Sequence, residues 1–503
     1  MQGNTSIWFL AAFAAYTALL FLISWLTGRK AGTRSFFSGD RKAPWPVVAY
    51  GMVGSSVTGV TFISVPGNVW VQDFFYMPMV LGFVAGYIVI AKLLLPLYYR
   101  MNLTSIYTYL GGRFGPRTRW TGTAVFMVSR LLGVAVRIFV VIVVLSAFMP
   151  GGLAGSLSPL LLFVLITAVF LTLLYLYTYK GGVKTIIWTD VLQTTLMLLA
   201  VGLTIHCICR DMGLGAGELL SAAGGAVNGN EGTVGFGRPF ASWFDRDWSH
   251  GTNAVKQFIS GIFVTIAMTG FDQAMMQKNL ACKDLKAAQK NMYATAAIIV
   301  AVNIFFLLLG ALLCVYADHL GGFEALGITR TDELFPTIAS RYFGVGAGIV
   351  FLIGLISASY PSAAAAMTSL TTSFCVDFLE FETRGDLDES RKESIRKRVH
   401  AGVAVLFLLI ITILYLVSND AVINLVYKLA SYTYGPLLGM FFFGILTRRE
   451  VRDGAVPWIA LASPALCLLI NLLCKHFLGL DLGFSLLIVN GLLTFLGMWL
   501  LRK

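Results

Sequence analysis

Charge is what this 503-residue chain has least of: Asp, Glu, Lys and Arg make up only 12% of it, against roughly 25% in ordinary soluble domains. So little charge cannot cover a water-exposed surface. Hydrophobic residues reach 57% and the mean hydropathy is +0.79, which excludes a soluble globular domain and points to a bilayer. Histidine is scarce as well, five in all. No histidine cluster or nucleophile–base pair stands out, which argues against an intramembrane enzyme. The seven cysteines (Cys207, Cys209, Cys282, Cys314, Cys375, Cys467, Cys474) sit in or beside apolar runs at irregular spacing and give no disulfide framework. Cys207 and Cys209 beside His206 read as packing at the end of an apolar run rather than as a metal site. Also missing is a basic segment ahead of the first apolar run. The first positive cluster, Arg29, Lys30, Arg34, Arg41 and Lys42, follows that run. This is the reverse of a cleavable signal peptide, so the first helix is expected to stay, with its N-terminus outside.

Long apolar runs are abundant. Thirteen windows suit membrane-spanning helices of about 20 residues, near 5–27, 45–70, 74–99, 119–149, 157–178, 183–208, 254–277, 288–317, 341–376, 398–418, 420–446, 455–475 and 482–501. Their length and continuity favour helices over the short alternating strands of a membrane barrel. With the loop after the first helix in the cytoplasm, 26 of the 37 lysines and arginines are cytoplasmic, among them Lys278, and 7 are external, with 4 inside spans. That bias is the positive-inside pattern. It explains the net charge of +12 without nucleic acid as a partner. The expectation is an all-α inner-membrane protein with a cytoplasmic C-terminus. A glycine-rich external stretch, 209–253, reads as either a lid or a spacer.

Polar groups at membrane depth are expensive and tend to be functional. Glycines and hydroxyls crowd the second span from Gly54 through Ser55, Ser56, Thr58, Gly59 and Thr61 to Pro66. Such a segment either unwinds, offering carbonyl oxygens to a hard cation, or packs tightly through small residues. The ninth span carries Ser357, Ser359, Pro361 and Ser362 and then a threonine/serine run to Ser373. Pro361 predicts a kink there, and the hydroxyls either join an oxygen cage or bond back to their own helix. Asp190 lies some seven residues into the sixth span, about 10 Å deep, and must meet a cation or a buried donor. Arg130 and Arg137, seven apart on the fourth span, share one face. Each could clasp a cargo carboxylate or brace a buried acid. Lys428, among Tyr427, Tyr432 and Tyr434, is a gating candidate.

Several stretches together resemble the sodium:solute symporter family: Gly54–Pro66; Gly181-Gly182 with Trp188-Thr189-Asp190-x-x-Gln193; Asp272-Gln273-x-x-x-Gln277-Lys278 leading to Ala287-Ala288-Gln289-Lys290; and Ala358–Ser373. The resemblance spans nearly the whole chain. It implies one transporter domain over 1–503, with an extra first helix (5–27), two inverted five-helix repeats (45–208 and 254–446) and two trailing helices (455–501). It implies sodium between the second and ninth spans on the carbonyls of Gly54, Val57 and Ala358 and at positions 361 and 362, where Ser362 is kept and Pro361 replaces a serine. A second cation site in some sialic acid carriers uses an aspartate matching Asp190 and two serines that are Ala364 and Ala365 here. The implied cargo pocket draws on Ser55, Ser56, Thr58, Thr61, Asp73, Tyr76, Asp272 and Gln273. The carboxylate-clasping arginine of sialic acid carriers falls near Gly133, one turn from Arg137. The expected function is sodium-coupled uptake of a small polar solute, a sugar, sialic acid or related carboxylate, by alternating access, with the bilayer as partner and a monomer as working unit. A proton-coupled carrier and a transport-deficient sensor are the alternatives.

Overall fold

The computed structural model describes residues 2–29, 32–147, 157–215, 243–384, 386–417, 420–480 and 482–502. Every regular element among them is helical, apart from three isolated bridges. Backbone donors and acceptors have no water to bond in hydrocarbon, so a spanning chain closes its hydrogen bonds within helices. The long elements are α1 (Gln2–Gly28), α2 (Trp45–Ser56), α3 (Gly59–Gln72), α4 (Met77–Arg100), α5 (Pro116–Ala147), α6 (Pro159–Thr178), α7 (Val183–Met212) and α8 (Ala254–Gly270). They continue as α9 (Gln273–Leu280), α10 (Leu285–His319), α11 (Val345–Phe378), α12 (Glu389–Val417), α13 (Asp420–Leu446), α14 (Val456–Leu478) and α15 (Leu486–Leu500).

Among the described residues, ten helices are long and apolar enough to cross a membrane, and twelve spans result when each of two bent pairs counts as one. The expected span at 420–446 is helical, but its side chains are described only from Tyr432 onward, so the gating candidate Lys428 lies outside the described residues. Most of the 209–253 stretch, expected to be external, does too. Outward-facing residues of α14 such as Leu461, Leu469, Leu472 and Phe477 are exposed, as lipid contact requires.

The bent pairs position everything that follows. The second expected span is broken: α2 and α3 meet at 62° across Val57 and Thr58. The seventh, read from sequence as continuous, is broken as well, with α8 and α9 at 68° across Phe271 and Asp272. A π-helical turn, Ile266–Gly270, leads directly into that second break. The ninth span departs from expectation the other way. Pro361 does not interrupt it; one α-helix runs from Val345 to Ser373. It is the most enclosed of the spans, with 83% of its apolar window inside the protein against 22% for α1. The proline removes the bond that the Ser357 carbonyl would have accepted, and the helix continues through it.

Lipid supplies no hydrophobic drive for helices to associate, so close backbone contact must do it. A methyl group on Gly82 of α4 would lie 2.2 Å from the Phe258 carbonyl oxygen and 3.0 Å from the Gly261 Cα of α8. We expect G82A and G261A each to cost about 1–3 kcal/mol by overpacking. The check is the thermal unfolding midpoint in detergent. G202A and G402A, with open space around the added carbon, should leave it unchanged.

Candidate functional site

The two breaks differ in how they treat their backbone. At the first, Val57 is extended (φ −88°, ψ 101°) and Thr58 caps α3. The Thr58 N–H donates to Thr61 Oγ1 at 3.3 Å, and the Thr61 N–H to Thr58 Oγ1 at 3.5 Å. Those N–H groups would otherwise serve the carbonyls of Gly54 and Val57 by the i→i−4 rule. The capping box therefore diverts them, and no hydrogen bond reaches either carbonyl among the described residues. At the second break the backbone is satisfied. Tyr98 donates its hydroxyl to the Gly270 carbonyl at 3.0 Å, and Tyr107 donates to that of Phe271 at 2.9 Å.

Small residues let α11 reach the first break. A methyl on Gly54 would come 3.6 Å from Pro361 Cγ and 2.2 Å from Thr194 Oγ1, and one on Gly59 would come 2.1 Å from Ser359 Oγ. Gly54, Val57, Ala358, Pro361 and Ser362 are all buried here. Two bare carbonyls and the Ser362 hydroxyl are hard oxygen donors suited to a small cation. Ser362 accepts a long contact, 3.5 Å, from Arg137 Nη1.

Four of the eight residues of α9 are polar and all eight are buried, so each polar side chain needs a partner. Asp272 accepts the Met275 N–H at 3.2 Å and the Tyr434 hydroxyl at 2.8 Å, and pairs with Arg130 Nη1 at 3.3 Å. Gln273 bridges the Ile106 N–H, 3.0 Å away, and the Thr104 carbonyl, 2.7 Å away. Gln277 donates to the Phe37 carbonyl and to Thr372 Oγ1. Lys278 donates to Asp190 Oδ2 and Ser55 Oγ. The sequence reading placed Lys278 among the cytoplasmic charges. In the structure its side chain is 2% exposed, because the break turns α9 inward. Lys278 is the partner that Asp190 required.

Between the breaks lies a cavity of about 220 Å³. Ser55, Ser56, Thr61, Tyr76 and Arg137, all sequence candidates, line it. Thr58 shapes the break without lining the cavity, Asp73 ends α3 away from it, and Asp272 and Gln273 are engaged as described above. Sequence reasoning did not place Tyr87, Thr269 or Asn303 on its wall. They are single polar residues in apolar helices and carry no motif. Arg130 also lines the cavity, and its Nε and Nη2 are buried without a hydrogen-bond partner among the described residues. The lining contains no Asp or Glu among the described residues. A larger opening of about 440 Å³ beside Ser38, Arg41 and Lys392 holds none of the candidate residues.

Comparison with known proteins agrees with this architecture. A model of the sodium:solute symporter family matches residues 36–459. The sodium/sialic acid symporter NanT of Aliivibrio fischeri is 24% identical over 462 residues, covering 90% of this chain and 86% of that protein. The symporter SiaT of Proteus mirabilis is 23% identical over 483 residues, 94% and 90% of the two chains. Sodium-coupled monocarboxylate transporter 2 of Bos taurus is 25% identical over 455 residues, 88% and 69%. A substrate-bound, outward-open structure of a Na+-coupled sialic acid symporter superposes with a TM-score of 0.81 at 20% identity over 98% of both chains. A nucleobase-cation-symport-1 family transporter, Mhp1, gives 0.57 at 17% identity over 94% of both.

The Arg130–Asp272 pair yields a stability prediction. R130M leaves a buried carboxylate without its counter-charge and is expected to cost about 3–5 kcal/mol. Adding D272N, which keeps an oxygen for the Met275 N–H, should recover most of that loss. Unfolding midpoints of the two variants and the wild type check it, and an R130M variant as stable as wild type would refute the pairing.

Proposed function

The chain belongs to the sodium:solute symporter family, and from that premise we propose that it carries a small carboxylate into the cell together with sodium. One observation carries the choice of cargo. A buried guanidinium, Arg130, lines a cavity free of acidic residues and keeps Nε and Nη2 unpaired. An orphaned buried donor is costly, and the Nε/Nη2 edge of a guanidinium matches the two oxygens of a carboxylate. Arg130 thereby fills both roles open to it, bracing Asp272 through Nη1 and receiving cargo through its other edge. A volume below the roughly 300–1,000 Å³ of drug-sized sites suits a small solute. Relatives named for sialic acid and monocarboxylates, both carboxylates, support the same reading.

Sodium would bind the carbonyls of Gly54, Val57 and Ala358 and the hydroxyl of Ser362, with the carbonyl freed by Pro361 nearby. Ser362 is where Arg137 reaches. A cation arriving there repels the guanidinium toward the cavity and raises its affinity for an anion. Ion and cargo are coupled by that displacement, since a ligand shifts an equilibrium only by its differential affinity for two states. Closure of the outer side and opening of the inner side then release both. The inside-negative potential contributes about 2.3 kcal/mol per charge per 100 mV. We assign the chain thirteen spans in an inverted five-plus-five repeat (45–208 and 254–446) between one leading and two trailing helices. The N-terminus is placed outside, the working unit is a monomer, and there is no enzymatic step.

The test is uptake into proteoliposomes. Carboxylates should enter on a sodium gradient and neutral sugars should not. R130K keeps a charge for Asp272 but loses the fork. It is expected to weaken apparent cargo affinity by about 1.5–3 kcal/mol, roughly 10- to 150-fold. Uptake that ignores sodium and follows a proton gradient would overturn the ion assignment, and unaltered carboxylate uptake by R130K would overturn the pocket.

A further inference from the structure

Asp190 has no access to solvent, yet its surroundings are not apolar. Its Oδ1 lacks a hydrogen-bond partner among the described residues. Tyr16 and Tyr177 both lie beside Gln193 and within electrostatic reach of Asp190, and Tyr16 also flanks Ser357. A buried carboxylate with one oxygen unpaired and hydroxyl and amide groups nearby has the chemistry of a site for a hard cation. The positive charge is already present: Lys278 Nζ sits on Asp190 Oδ2 and on Ser55 Oγ. It comes from α9, whereas Asp190 belongs to α7 and Ser55 to the end of α2.

We propose that the Lys278 ammonium is a tethered cation occupying the Asp190 site, so that no mobile cation binds there and each transport cycle carries a single sodium. The inference rests on the sodium-coupled reading above and adds the ion count. An ammonium is a compact point charge of unit value, so it neutralises Asp190 as sodium would. It cannot dissociate, and the site adds nothing to the coupled charge. Removing it bares the carboxylate and leaves Ser55 Oγ, Gln193 Oε1 and Ser357 Oγ as further oxygen ligands. The substitution is thus expected to create a sodium site.

Equilibrium binding of radioactive sodium to the purified full-length protein tests this, with thermal unfolding as the control for folding. Wild type is expected to bind one sodium per chain, K278Q two, and K278Q with D190N one again. A364S with A365S adds hydroxyls and retains Lys278, and is expected to stay at one. Two sodium ions on the wild type overturn the proposal, as does a cooperatively folded K278Q that still binds one. If K278Q does not fold, the other counts decide: one each on wild type and A364S/A365S upholds it, and two on either overturns it. Zero on the wild type fails the sodium-coupled reading itself. The tethered cation is then upheld if K278Q gains a first sodium and overturned if it gains none.

Discussion

Lys278 holds three separate elements together at the centre of the molecule: the inward-turned half-helix α9 that carries it, Asp190 on α7, and Ser55 at the end of α2. Such a pair is not a source of net stability, since desolvating two charges offsets most of their attraction. Its effect is positional. With each charge uncompensated anywhere else, α9 has one register in which its lysine is matched, and that register sets where the second break falls. Gln273, Gln277 and Asn279 then meet their own partners around it.

The two broken helices make a functional contrast. Both interrupt the i→i−4 ladder in mid-membrane, where a bare carbonyl has no water to turn to. At Gly270 and Phe271 the protein answers with tyrosine hydroxyls, and that break is closed. At Gly54 and Val57 the mutual capping of Thr58 and Thr61 takes the donors away and nothing replaces them. Oxygens left bare beside Ser362, on an unbroken and enclosed helix, form the frame to which the sodium proposed above is assigned.

Charge in the middle of the membrane is arranged in the same economical way. Asp190 and Lys278 cancel, and Asp272 takes one edge of Arg130. The charged residues that line the cavity are the two arginines, Arg130 and Arg137, and the carboxylate cargo proposed above is the anion that would balance them.

Much of this was legible in the sequence. Apolar run lengths and the placement of lysine and arginine set the class and the approximate spans, because bilayer thickness and membrane charge bias act on the chain locally. The break at Val57–Thr58 was visible as a choice between two readings, since glycines and hydroxyls written side by side compete with the helix on the spot. The seventh-span break was not read, although Gly270 and the N-capping Asp272 mark it locally; distant Tyr98, Tyr107, Tyr434 and Arg130 satisfy the groups it exposes. At Pro361 the helix continues without a break, inside the most enclosed of the spans. Lys278 was misplaced, since a lysine beside a basic loop looks cytoplasmic until a 68° bend carries it inward. The sequence by itself determined that this chain lives in a membrane and which residues were too polar to be there idly. Only the tertiary structure decided which of them cancel and which are left to bind, because pairing buried charges depends on contacts between residues far apart along the chain.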